Sequence, residues 1–150
     1  MFKPDAVEFH LKASSKKHLL QRLADSLAEA TGQESREIFD RLFEREKLGS
    51  TGMGDGIAIP HARLQGLDRV YAVFATLGDP VDFESLDGKP VDLVCALMAP
   101  QDAGADHLTA LAKVSRLLRS KEFCTRVRGA DSKDAVLSLI INDVTQQEAA

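Results

Sequence analysis

Apolar positions fall into two periodicities that alternate along the chain. Val7-Glu8-Phe9-His10-Leu11 alternates apolar and polar, the period of a strand with one buried face. The spacing then lengthens: Leu19, Leu20, Leu23, Ala24 and Leu27 share one face of a helix, with Ser14 or Ser15 as N-cap and Gly32 as stop. A second helix is predicted from Glu34 to about Lys47, burying Ile38, Phe39, Leu42 and Phe43. Ile57-Ala58-Ile59 fits a short buried strand, and residues 70–77 a longer one rich in β-branched and aromatic side chains. After a turn signal at Asp87-Gly88, residues 91–98 are almost wholly apolar, which predicts a central strand covered on both faces. Helical spacing returns with Leu108, Leu111, Val114, Leu117 and Leu118, up to about Arg119. Residues 122–128 add a turn or two, and a last helix from an Asp131 N-cap carries Val136, Leu139 and Ile140. The tail 146–150 is expected to fray. This order predicts an α/β sandwich, a mixed sheet with helices on both faces, in one domain spanning residues 1–150.

Between the second helix and the short strand lies Gly49-Ser50-Thr51-Gly52-Met53-Gly54-Asp55-Gly56, with glycines in four of eight positions. Glycine is favoured where the backbone takes positive φ or approaches something closely, so this is a loop folded around a feature. Pro60 has no N–H to donate and is expected to end the strand. His61 would then stand at a strand's end, beside amides able to face an anion.

At 150 residues and 44% hydrophobic, the chain can bury one substantial core. A net charge of −4 excludes the basic footprint expected of a nucleic-acid binder. Residues 1–5 show no apolar signal-peptide region, and no apolar run reaches the roughly 20 residues that span a bilayer. Cys95 and Cys124 lack C-x-x-C spacing, which fits buried free thiols in a reducing cytoplasm.

His61 has an unperturbed pKa of about 6.5 and is mostly neutral at pH 7, so its free ring nitrogen can serve as base, metal ligand or nucleophile. His10, His18 and His107 show no zinc-ligand spacing to it, and His10 and His18 read as solvated or strand-edge residues. G-x-S-x-G is absent, which argues against a serine hydrolase. No Gly-Lys-Ser/Thr follows the glycines, and Asp55 would repel a nucleotide phosphate. What remains is histidine as a nucleophile toward phosphorus, with Arg45 and the loop amides, at Thr51, Gly52, Gly54 and Gly56 among them, as oxyanion donors. The residues alone leave Arg45 open between phosphate ligand and solvated member of the run Glu44-Arg45-Glu46-Lys47. His107 is equally open between a site residue at a helix start and a polar residue bonded to Asp106. Arg63 and Lys47 are secondary candidates for adding positive field.

The run Arg45-Glu46-Lys47-Leu48-Gly49-Ser50-Thr51-Gly52-Met53-Gly54-Asp55-Gly56-Ile57-Ala58-Ile59-Pro60-His61 resembles the active-site signature of enzyme IIA domains of the fructose/mannitol class of the bacterial phosphotransferase system, most of all the nitrogen-regulatory branch. Pro90-Val91-Asp92-Leu93-Val94 and Asp106-His107-Leu108 extend the likeness. Asp55 stands where relatives often carry asparagine, and Ala62-Arg63 where many carry glycine-lysine. The resemblance implies a sheet of about five strands, no cofactor, and a phosphoryl group accepted on Nε2 of His61 from an HPr-like carrier. It places the family's phosphate-site arginine at Arg45 and its second histidine at His107. For the nitrogen branch it also implies cytoplasmic target proteins controlled by phosphorylation state, potassium-transport or sensor-kinase components among the candidates. Two other readings stay open at this point: a sugar-specific IIA that passes phosphate to a fructose or mannitol IIB component, and an anion- or protein-binding module that is never phosphorylated.

Overall fold

The computed structural model describes the backbone of residues 3–149 and the side chains of residues 3–143. In chain order the elements are β1 (Ala6–Leu11), α1 (Lys16–Thr31), α2 (Ser35–Leu48), β2 (Gly52–Gly54), β3 (Ile57–Ala58), β4 (His61–Leu64), β5 (Tyr71–Val81), β6 (Val91–Pro100), α3 (Gly104–Arg119), α4 (Lys121–Arg128) and α5 (Lys133–Ala149). The sheet is mixed and has six strands in the order β1-β5-β6-β3-β2, with β4 also paired to β6. Strand β6 is antiparallel to β5 and parallel to both β3 and β4, so it carries the short strands that lead to His61.

The unbroken apolar run of β6 has a simple cause. Val94, Ala96 and Met98 pack under α1 and α2, against Leu19, Leu23, Leu27, Ile38 and Leu42. Leu93, Cys95 and Leu97 face the opposite layer, with Val114, Leu117 and Leu118 of α3, Phe123 and Val127 of α4, and Val136 and Ile140 of α5. Successive side chains point to opposite faces, so a strand with helices on both sides must be apolar throughout. Burying each such Leu, Val or Phe stabilises the fold by about 1.5–3 kcal/mol. Strand β5 divides the same way, Val73, Ala75 and Leu77 to one layer and Ala72 and Phe74 to the other.

Helix ends follow their local signals. Ser15 Oγ accepts from the His18 N–H, and Gly32 closes α1 with φ of 76°. At α5 the cap is Ser132, whose Oγ accepts from the Ala135 N–H, in place of the expected Asp131. Helix α5 continues through the tail expected to fray as far as Ala149; Ala150 lies outside the described residues.

The sheet exceeds the expected five strands because the glycine run contributes β2 and the apolar stretch around Pro60 splits in two. Pro60 interrupts the ladder without ending it: its carbonyl accepts from the Leu97 N–H at 2.9 Å, and the chain rejoins β6 with His61 opposite Leu97. His61 therefore opens a strand; it does not close one. Both cysteines are free and buried, and desolvation raises the pKa of each thiol. Among the described residues no helix is long and apolar enough to cross a membrane.

Candidate active site

Alternation along β4 decides where His61 points. Ala62 and Leu64 are buried in the layer under α1 and α2, so His61 and Arg63 face the side of α3. The Nδ1 of His61 lies 2.8 Å from the Ile59 carbonyl oxygen. A carbonyl only accepts, so Nδ1 carries the proton and Nε2 keeps its lone pair. Burial lowers the pKa of His61; the Ile59 bond opposes this, the charge of Arg45 adds to it, and Glu46 offsets part. The ring is a neutral imidazole with its nucleophilic nitrogen free.

His107 stands in the first turn of α3 with its ring edge-on to His61, centroids 5.6 Å apart and planes at 69°. Its own N–H donates to the Ala103 carbonyl at 2.8 Å, so this residue meets the site with its side chain and not its amide. The residue is 6% exposed. Arg63 Nε donates to its Nδ1 at 3.4 Å, and Arg63 Nη1 reaches the Gln101 carbonyl at 3.5 Å. His107 Nε2 is buried with no hydrogen-bond partner. Burial lowers the pKa of His107, and the charges of His61 and Arg63 lower it further.

Arg45 sits in the last turn of α2, half-buried, with Nη1 donating to the Gly49 carbonyl at 2.9 Å. The neighbouring Glu46 faces inward. It pairs with Lys16 Nζ at 3.0 Å and accepts from both the amide and the hydroxyl of Thr51. The Thr51 carbonyl in turn accepts from the Ile59 N–H at 3.1 Å. This chain of bonds ties the end of α2 to the segment that carries His61. It also corrects the expected role of Thr51, whose amide is occupied by Glu46 and is not free for an anion. Nothing periodic in the sequence marks Glu46, a buried carboxylate inside a charged run. Lys47 turns away, its Nζ over the Phe43 ring at 4.8 Å.

The glycine run is a hairpin and not a cradle around the ring. The Gly52 N–H donates to Ser50 Oγ at 3.1 Å, and a Cβ added at Gly52 would stand 2.2 Å from Ser85 Oγ. Gly54, Asp55 and Gly56 all take positive φ, 89°, 57° and 84°. Asparagine and aspartate tolerate this region, which accounts for Asp55. The tip is bound on every side. The Asp55 N–H donates to Asp87 Oδ2 at 2.9 Å, and its carbonyl accepts from Arg128 Nη2 at 2.8 Å. Arg128 also holds Asp92 through two bonds of 2.9 and 2.8 Å. Ile57 is opposite Leu93 and His61 opposite Leu97, four residues further along β6. At strand rise that separates the tip from His61 by roughly 13 Å. Gly54 and Gly56 instead line a separate cavity of about 570 Å³ with Lys89, Asp92 and Arg128. The structure thus brings together His61, His107 and the Arg45 charge, with Thr51 behind them, and leaves Gly54 and Gly56 elsewhere. Among the described residues no three His, Cys, Asp or Glu side chains are grouped to hold a metal ion.

The family model described as "Phosphoenolpyruvate-dependent sugar phosphotransferase system, EIIA 2" matches residues 1–143. The chain belongs to that family. A nitrogen regulatory protein of Bradyrhizobium diazoefficiens is 49% identical over 137 residues, 91% of this chain and 90% of the relative. One from Escherichia coli is 38% identical over 84% of this chain and 78% of its own length. The fructose-specific EIIABC component of Bacillus subtilis is 33% identical over 89% of this chain, which matches 21% of that longer protein. Among solved structures, the nitrogen regulatory protein IIA-Ntr of Neisseria meningitidis superposes with a TM-score of 0.83 at 33% identity, over 90% of this chain and 92% of its own. The mannitol IIA of E. coli, at 22% identity over 90% of this chain and 95% of its own, shares the fold with a TM-score of 0.75.

Proposed function

We propose that this EIIA-family chain is a nitrogen-regulatory phosphoryl carrier that accepts phosphate on Nε2 of His61 from an HPr-like phosphocarrier and controls cytoplasmic partner proteins by its phosphorylation state. The observation that carries the reading is the ring of His61: Nδ1–H fixed on the Ile59 carbonyl at 2.8 Å, and Nε2 free beside a second, unpartnered ring nitrogen. In the transfer, the Nε2 lone pair forms an N–P bond while the donor's N–P bond breaks, its electron pair returning to the donor imidazole. Positive charge grows on the His61 ring as its bond forms, and the Ile59 carbonyl at Nδ1–H stabilises it. Arg45 and the Nε2–H of His107 donate to the phosphoryl oxygens, where preorganised donors are worth most. Thr51 acts through Glu46, holding the segment before His61. Gly52, Gly54 and Gly56 serve as the hairpin that positions β3 and β4.

Modification adds a charge of about −1.5 to −2 at a ring that was neutral, beside the positive charges of Arg45 and Arg63. A partner meeting this surface is admitted or repelled electrostatically, with no change of fold. The nitrogen regulatory relatives, 49% and 38% identical over most of this chain, support the regulatory branch over sugar uptake.

The test is incubation with phosphoenolpyruvate, enzyme I and an HPr-like carrier, read by intact mass under alkaline conditions. The parent gains one phosphate and His61→Ala gains none. Equal labelling of both overturns the assignment of His61, and no labelling of the parent points to a binding module. Mixing the phosphorylated chain with purified fructose or mannitol IIB separates the branches: a regulator delivers little phosphate, an uptake component delivers it readily.

A further inference from the structure

We infer that Arg63 is a positioning residue that fixes the tautomer of His107, so that its Nε2 presents a proton, and not a lone pair, to the group held on His61. Three observations converge. Arg63 and His61 are alternate residues of β4 and face the same side of the sheet, so the strand delivers nucleophile and guanidinium together. Arg63 Nε meets His107 at Nδ1, 3.4 Å away, while Nη1 is directed to the Gln101 carbonyl. His107 is 6% exposed and its other nitrogen, Nε2, has no partner.

The chemistry follows from what a guanidinium can do. Its nitrogens only donate, and it does not lose its charge in a protein. A ring nitrogen that faces Arg63 Nε must therefore offer a lone pair. That excludes the tautomer protonated at Nδ1, and it excludes the imidazolium, which would set N–H against N–H. The single remaining form carries its hydrogen on Nε2. A ring free of Arg63 would populate both neutral tautomers, and in one of them a lone pair on Nε2 would face the phosphoryl oxygens and repel them. The orphaned Nε2–H is a donor kept without an acceptor until a phosphoryl group arrives.

The kinetic arm of the test rests on the phosphoryl-carrier reading; the spectroscopic arm does not. Nitrogen-15 histidine spectra of the unphosphorylated protein at neutral pH should show His107 protonated on Nε2 alone. In Arg63→Met, which keeps the side chain's length without a donor, that preference should disappear into a mixture of forms. Arg63→Lys, which still offers only donors, should restore it. Phosphate acceptance from the HPr-like carrier should fall about tenfold in Arg63→Met, less than removing an oxyanion donor outright costs, and recover in Arg63→Lys. An Nδ1–H tautomer in the parent, or an unaltered His107 spectrum in Arg63→Met, overturns the inference even if His61 is phosphorylated. A normal tautomer shift in a chain that never accepts phosphate leaves Arg63's role standing and overturns only the carrier reading.

Discussion

The two ends of the segment from Gly49 to His61 are built on opposite rules. At the hairpin tip the strong polar groups of three residues are engaged: Asp55 by Asp87 and Arg128, Gly56 by the amides of Asp92 and Leu93, Arg128 by both oxygens of Asp92; Ser85 Oγ, packed beside Gly52 at the base of the hairpin, has no partner. Around His61, two imidazoles meet edge-on and His107 Nε2 has no partner. A buried polar atom without a partner costs about 1–3 kcal/mol, and at His107 that atom belongs to an imidazole set against a second imidazole. In the proposed function the tip is scaffold and the histidine pair carries the chemistry. On that reading Gly54 and Gly56, for all their prominence in the segment, belong to the scaffold.

Substitutions can break this contrast. His107→Ala removes a donor at the site while leaving the tip intact, and phosphate acceptance from an HPr-like carrier should fall about a hundredfold, about 2.7 kcal/mol of barrier. A stopped-flow or quench assay that finds less than a threefold loss would place His107 in the scaffold. Next in size is Glu46→Ala, which frees Thr51 and leaves Lys16 without its buried partner. Breaking a buried pair costs 3–5 kcal/mol; the partial access of water to Lys16 lowers the expected loss to about 2–3 kcal/mol, measured by urea unfolding.

Gly56→Ala tests the tip by itself. Its Cβ would lie 2.8 Å from both Arg128 Nη2 and Asp92 Oδ1, on a backbone with φ of 84°. The expected loss is about 1–2 kcal/mol of stability, with phosphate acceptance at saturating donor within about twofold of the parent. A large loss of transfer without a loss of stability would show the tip to be part of the site after all.

The smallest effect is in pH. Burial lowers the pKa of both His61 and His107, so below the unfolded value of about 6.5 the unfolded chain binds protons that the folded chain does not. Stability should therefore fall as pH drops from 6.5 through the lowered values and be independent of these groups above 6.5. The double variant His61→Gln/His107→Gln should flatten that slope. A parent whose stability stays level or rises over this range would contradict the buried, neutral pair.

Much of the fold was legible because it rests on periodicity. The apolar face of α1, Ile38 and Leu42 on α2, the double-sided apolarity of β6 and the Ser15 and Gly32 signals all stand where the pattern puts them, while Phe39 and Phe43 are only half-buried and Glu46 takes a buried place on α2. His61 was legible as a candidate too, through the local rarity of its glycine-proline context. Contacts between distant residues were not. Nothing in the spacing of Asp92 and Arg128, 36 residues apart, announces a bidentate pair. Likewise Arg63 and His107, 44 residues apart, meet only because β4 and the start of α3 share one side of the sheet. The glycine run misled because positive φ is equally necessary for an anion nest and a tight hairpin, and only the pairing of β2 with β3 chooses between them.

The central claim is that the free nitrogen of His61 becomes bonded to phosphorus while its other nitrogen keeps a proton on the Ile59 carbonyl. Nitrogen–phosphorus correlation spectra of the phosphorylated, nitrogen-15-histidine-labelled chain test it most directly. One phosphorus is expected, coupled to Nε2 of His61, with His107 unmodified. Phosphorus coupled to Nδ1 of His61, or to any nitrogen of His107, would contradict it.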